Sequence, residues 1–169
     1  LETCSWKHAS PPLPRGFGWP TSLDTFCSAD GAGLLPYQRE GVQFGLVNGG
    51  RVLLGDEMGL GKTAQGLALA VHYFREWPLL VVCPSSLCSS WAEEAVRWLP
   101  PGALGLGEST IQILTKGSEV LRRIVRVVIV SYDLLVRNER FQRRASGAAY
   151  RVVICDEAHF LKTPTSQRS

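Results

Sequence analysis

Three runs of aliphatic and β-branched residues, Leu79–Cys83 (LLVVC), 127–130 (VVIV) and Val152–Cys155 (VVIC), place no strongly polar side chain on either face of an extended chain. A strand with one wet face alternates polar and apolar positions. A run that is apolar throughout has to be covered on both faces, which is the situation of strands in a parallel sheet. Two further runs, 51–55 (RVLLG) and Ile111–Leu114 (IQIL), have strand length as well. Between them lie amphipathic segments. Residues 35–47 predict a helix with Pro36 in its first turn and Asn48-Gly49-Gly50 after its last. Residues 62–75 repeat apolar positions at Ala64, Leu67, Ala68 and Val71. Ser85 and Ser86 can cap a third helix with a stripe of Leu87, Trp91, Ala95, Trp98 and Leu99, stopped by Pro100-Pro101. Residues 117–123 and 133–144 supply two more helical segments. A strand followed by a helix, repeated about five times, predicts a parallel, doubly wound α/β fold.

Composition narrows the setting. A chain of 169 residues with 45% hydrophobic and 20% charged residues suits one globular domain and is too apolar for disorder throughout. No stretch approaches the roughly 18 uncharged apolar residues of a membrane helix, so no membrane partner is expected. Five cysteines leave one unpaired and form no C-x-x-C, which suggests a reducing compartment and no zinc in this segment. Cys83 and Cys155 fall at strand ends and suit packing. Residues 1–33, with Pro11, Pro12, Pro14 and Pro20, have the composition of a lead-in or linker, and the folded part is expected from Leu34 to residue 169. The absence of Met at position 1 suggests a piece of something longer.

The chemistry concentrates in two places. Asp56-Glu57-Met58-Gly59-Leu60-Gly61-Lys62-Thr63 joins the RVLLG run to an apolar helix. Backbone N–H groups approach phosphate oxygens closely where glycines leave room, and the helix that follows adds its positive end. Lys62 would neutralise the outer phosphates of ATP and Thr63 would offer a hydroxyl to Mg²⁺. The alternative is a turn that merely joins a strand to a helix, and the strict G-x-x-x-x-G-K-T pattern is missed because Asp56 stands at its first position. The second place is Asp156-Glu157-Ala158-His159, directly after the VVIC run. Asp156 would hold Mg²⁺ and Glu157 would polarise an attacking water. Alone, this tetrapeptide reads more readily as a helix start. Parallel strands can nevertheless bring Lys62 and Asp156 to one carboxyl edge, where ligands of such sheets bind.

Taken in order, LLPYQREG from Leu34, DEMGLGKT, EWPLLVVCPSSL with Trp91 beyond it, VIVSYD and DEAHFLK resemble the ATPase motor of Swi/Snf-type DNA translocases, and within it the annealing-helicase branch of HepA-related and zinc-finger proteins. The resemblance accounts for Asp56, since D-E-M-G-L-G-K-T is that family's form of the motif. It implies a RecA-like fold, with these residues in an incomplete first lobe of a two-lobe core. It implies that Gln38 recognises adenine, that residues 56–63 form the ATP cradle, that Thr63 and Asp156 hold Mg²⁺, and that Lys62, Asp156 and Glu157 carry hydrolysis. Ser85 and Ser86, and Ser131 and Tyr132 in a later motif, are implied to touch the DNA backbone, and His159 to couple nucleotide state to DNA. Gly55 and Ala64-Gln65-Gly66 depart from the family's usual residues, and Gly66 should weaken its helix by about 1 kcal/mol.

The implied partners are forked or branched DNA and a second lobe in the same parent chain, whose arginines stabilise the transition state. The 169 residues alone are therefore expected to bind ATP weakly and hydrolyse it barely. A nuclear location follows from the same resemblance. Two alternatives stay open: a strand-separating DEAH-type helicase and an inert nucleotide- or DNA-binding module. Nine of the chain's 18 basic residues fall within residues 116–151, either as a DNA-facing surface or as a solvated face. Trp91 and Trp98 match the buried stripe of their helix and are expected in the core. His8 and His72 support no assignment.

Overall fold

The computed structural model describes residues 20–99 and 110–161. The start of the chain through residue 19, the Pro100-Pro101 stop and Lys162 lie outside the described residues. Helices α1 (Pro36–Val47), α2 (Lys62–His72), α3 (Cys88–Trp98) and α4 (Tyr132–Arg137) surround strands β1 (Leu79–Cys83), β2 (Ile111–Leu114), β3 (Val127–Ser131) and β4 (Val152–Cys155). The strands form one sheet in the order β2-β3-β1-β4, and every neighbouring pair is parallel. This is the α/β arrangement the apolar runs call for.

Alternation sorts each strand between two cores. Leu79, Val81 and Cys83 of β1 and Val127 and Ile129 of β3 join the side chains of α2 and α3 on one face. Leu80, Val82, Val128 and Val130 pack on the other face with Tyr132 and Phe141. Both faces of β1 and β3 are dry, which explains their lack of polar residues. Register then sets the ends level: Cys83 lies opposite Ser131, and Val82 opposite Cys155. The segments leaving β1, β3 and β4 therefore share one edge.

Several expectations are corrected. Residues 51–55 belong to no ladder, and Leu53 is 79% exposed. Among the described residues no strand pairs with them, so an apolar run of strand length remains without its hydrogen-bond partner. Residues 117–123 form turns instead of a helix. There Glu119 accepts from Thr115 N, Thr115 Oγ1 and Lys116 N at 2.7, 2.8 and 2.8 Å, while Gln112 bonds Val120 O and Arg122 N across the loop. Such side-chain bonds to the backbone compete with helical ones. The helix expected over 133–144 is the short α4 followed by a 3-10 turn, Glu139–Gln142, with Asn138 out of helical conformation between them (φ -138°, ψ 80°). Ser85 and Ser86 lie in a separate 3-10 turn, Ser85–Leu87, and cap nothing with their side chains. Finally, residues 20–33 are not a free linker. Leu23, Phe26 and Leu34 are buried in the core, Phe26 stacks on Trp98 at 5.7 Å, and Ala29 N bonds Arg97 O at 2.6 Å. Anchors set in turns have no periodicity to read.

Candidate functional site

The loop after residue 55 is bent by glycine. Gly59 and Gly61 have φ of 86° and 74°, in the left-handed region that side chains disfavour. A Cβ on Gly61 would also come within 2.3 Å of Gln38 Nε2. Gly61 caps α2, so the free N–H groups of that helix's first turn open beside Lys62 and Thr63. Lys62 Nζ bonds the main-chain carbonyls of Asp56 and Glu57 at 2.7 and 2.9 Å. Asp56 is held from inside: its Oδ2 accepts from Gln65 Nε2 at 2.8 Å, and Gln65 is 0% exposed.

Gln38 is the clasp between α1 and this loop. Its Oε1 accepts from Leu35 N at 2.9 Å, and its Nε2 donates to Leu60 O at 3.1 Å. The side chain is buried, and one N–H and one lone pair of its amide remain beyond these bonds. Tyr37 Oη donates to the same Leu60 carbonyl at 3.3 Å.

Opposite the loop, β4 ends in the acid pair. Asp156 N donates to Val82 O at 2.8 Å, which carries the residue past the sheet edge beside β1. Glu157 has φ of 51°, the only non-glycine residue with positive φ among the described residues. A backbone held in that sparsely populated region is found where surrounding structure fixes a functional side chain. Glu157 Oε2 pairs with His159 Nδ1 at 3.0 Å, so the coupling candidate touches the hydrolysis candidate directly.

A cavity of about 620 Å³ joins the two halves. Asp56, Met58, Lys62 and Thr63 line it from the loop, and Asp156, Glu157 and His159 from the end of β4. Glu57, Gly59, Leu60, Gly61 and Gln38 form the loop and its support without lining the cavity. The oxygen donors of Thr63 and Asp156 suit Mg²⁺, which takes hard oxygen ligands and is held by one or two side chains together with phosphates and water. Among the described residues no cluster of three or more His, Cys, Asp or Glu could hold a metal ion. Cys155, expected in packing, is exposed and lines the cavity, whereas Cys83 is buried as expected.

The DNA candidates separate. Ser85 and Ser86 are exposed. Ser131 Oγ accepts from Leu134 N at 3.2 Å and caps α4. Tyr132 does not present its side chain at the surface: it is 6% exposed and donates to Asp156 O at 2.8 Å. Burial, and secondarily the neighbouring Cys155, push its hydroxyl pKa up, so it remains a donor. The basic stretch is largely spent on holding the fold. Arg122 bonds Ile111 O, Arg140 bonds the carbonyls of Gly117 and Glu119, Arg144 bonds Glu76 O and Arg151 pairs with Glu76. The contacts that Gln65 and Trp91 make with Asp56 and Asp156 escaped the sequence reading. Trp91 is in the core as expected, but its Nε1 donates to Asp156 Oδ2 at 2.8 Å. The available signal was that a buried indole N–H needs an acceptor.

A glycine-bent loop opening a helix, set against acids at the carboxyl edge of a parallel sheet, is the arrangement of a RecA-like α/β lobe. The chain belongs to the SNF2-related family, whose domain matches residues 37–169. It is 41% identical over 138 residues to the SWI/SNF-related matrix-associated actin-dependent regulator of chromatin subfamily A-like protein 1 of Xenopus tropicalis, covering 82% of this chain and 14% of that protein. It is also 41% identical over 138 residues to the mouse DNA annealing helicase and endonuclease ZRANB3, covering 80% of this chain and 12% of that protein. The SWI2/SNF2 ATPase core of Sulfolobus solfataricus, solved in complex with dsDNA, superposes with a TM-score of 0.66 at 26% identity, covering 81% of this chain and 28% of that one. The chain thus spans about one-seventh of the Xenopus relative's length.

Proposed function

We propose that this chain is the ATP-binding lobe of a DNA-dependent ATPase that moves along DNA and rewinds separated strands at forks, in the nucleus. The observation that carries this reading is the shared cavity: Lys62 and Thr63 at the start of α2, and Asp156 and Glu157 at the end of β4, line one space. Similarity to a DNA annealing helicase and to an ATPase core solved with dsDNA supports DNA as the polymer and rewinding as the outcome.

In this reading Lys62 leaves the carbonyls of Asp56 and Glu57 to meet the outer phosphates, aided by the free N–H groups of the first turn of α2. Gln38 reads adenine with the donor and acceptor its present bonds leave over. Thr63 and Asp156 hold Mg²⁺, which when bound neutralises charge on the phosphates. Glu157 orients the attacking water and draws on its proton, while His159 keeps that carboxylate in place from behind. The exposed Ser85 and Ser86, with the backbone at Ser131 and Tyr132, meet DNA phosphates. A second lobe of the parent protein closes over the nucleotide.

The test is DNA-stimulated ATP hydrolysis by the full-length protein. Glu157→Gln should abolish turnover while leaving nucleotide binding, and Lys62→Ala should remove both. Hydrolysis that survives both changes would refute the mechanism. On forked DNA coated with single-strand binding protein, rewinding is expected; net unwinding would make the protein a strand-separating helicase instead.

A further inference from the structure

We propose that Trp91 is a positioning residue for Asp156: its indole N–H fixes the carboxylate in the orientation from which it meets a magnesium-bound nucleotide. The inference rests on the nucleotide reading above and adds to it a residue on a different element.

Asp156 is fixed at four points. Trp91 Nε1 donates to Oδ2 at 2.8 Å, and Glu157 N donates to Oδ1 at 2.9 Å. Its main-chain N bonds Val82 O, and its main-chain O accepts from Tyr132 Oη, each at 2.8 Å. The two side-chain oxygens are thus set by separate donors, one from α3 and one from the peptide that follows. Each oxygen retains lone-pair capacity for a further partner. A carboxylate turned freely by two torsions must lose that freedom on meeting a cation; one already aligned has little left to lose.

The bond is more than the satisfaction of a buried donor. Trp77, also buried, meets that need with a main-chain carbonyl, Ala70 O at 2.7 Å. Trp91 is 5% exposed and directs its N–H to one of the two side chains expected to hold the metal, across 65 positions of sequence. It also lines the cavity that Asp156 and Thr63 share.

Two variants separate donor from bulk. Trp91→Phe removes the N–H with some loss of volume. Replacing Trp91 by 3-benzothienylalanine removes it while keeping the bicyclic shape. The affinity of the full-length protein for a fluorescent ATP analogue is read with Mg²⁺ and again with EDTA, and the unfolding midpoint of each variant is recorded. The wild type should bind more tightly with Mg²⁺, and in both variants that gain should fall about tenfold, the usual effect of losing a second-layer partner. A benzothienyl variant that keeps the full gain would overturn the inference, as would equal losses with Mg²⁺ and with EDTA. A wild type with no Mg²⁺-dependent gain would instead refute the nucleotide reading, and this inference with it.

Discussion

The two edges of the sheet spend their polar side chains differently. Around β2, Gln112 has both ends of its amide on main-chain groups of its loop, Glu119 accepts three bonds at the strand's exit, and Arg122 and Arg140 tie back to carbonyls. Around β4, Lys62 rests on carbonyls of its own loop, Glu157 and His159 face the cavity, and apolar Leu53, Met58 and Val153 remain exposed. The first edge uses polar groups to close turns. The second keeps charged groups at the rim of a cavity, where a ligand can replace their present partners. A dense run of charge in sequence is therefore a poor guide to where charge is available.

The contrast can be broken by substitution. Its largest expected effect is on affinity: Lys62→Ala should weaken Mg-nucleotide binding by about a hundredfold or more, by analogy with the loss of one preorganised donor to a developing charge. Arg122→Ala, at the opposite edge, should leave that affinity unchanged. Equal losses in a binding titration would abolish the distinction between the edges. Next is Gly61→Ala, which forces a side chain into the left-handed region at a cost of ~1–2 kcal/mol and must also displace Gln38. Urea unfolding should show a drop of ~2 kcal/mol or more; an unchanged midpoint would mean that α1 does not clasp the loop. The smallest effect concerns Glu119. Partial burial opposes its charge, but the donors of Thr115 and Lys116 outweigh this and hold its pKa below the ordinary 4.5. The stability it contributes is fully present above pH 4.5 and fades as pH falls through its lowered value. Glu119→Gln should flatten this part of the acid-unfolding profile and leave nucleotide affinity untouched.

Much of this architecture was legible because burial on both faces leaves a plain signature. LLVVC and VVIV are strands for the reason that made them conspicuous, whereas VVIC is an edge strand that leaves Val153 and Cys155 exposed despite its apolar run. Pro36 and Gly61 mark the starts of α1 and α2 where the backbone demands them. The phosphate-binding candidates and the acid pair were legible as motifs, and the fold brings them to one cavity. What sequence could not show was where a polar side chain goes. Residues 117–123 look helical until Glu119 turns back on its own backbone. Tyr132 looks like a surface contact until its hydroxyl meets Asp156 O. Trp91 fits an apolar stripe, and the stripe says nothing of its N–H. RVLLG illustrates the converse: its composition is right for a strand, but a strand exists only with a neighbour to pair with.

The resting place of Lys62 has a consequence for selectivity. An ammonium group that already holds two carbonyl oxygens improves its situation only when the arriving oxygens carry formal negative charge. The loop is self-plugged, and the plug yields to polyanions rather than to a sugar or a base. Adenosine should therefore fail to displace a fluorescent nucleotide that ADP displaces readily, with discrimination set by phosphates before the base is read.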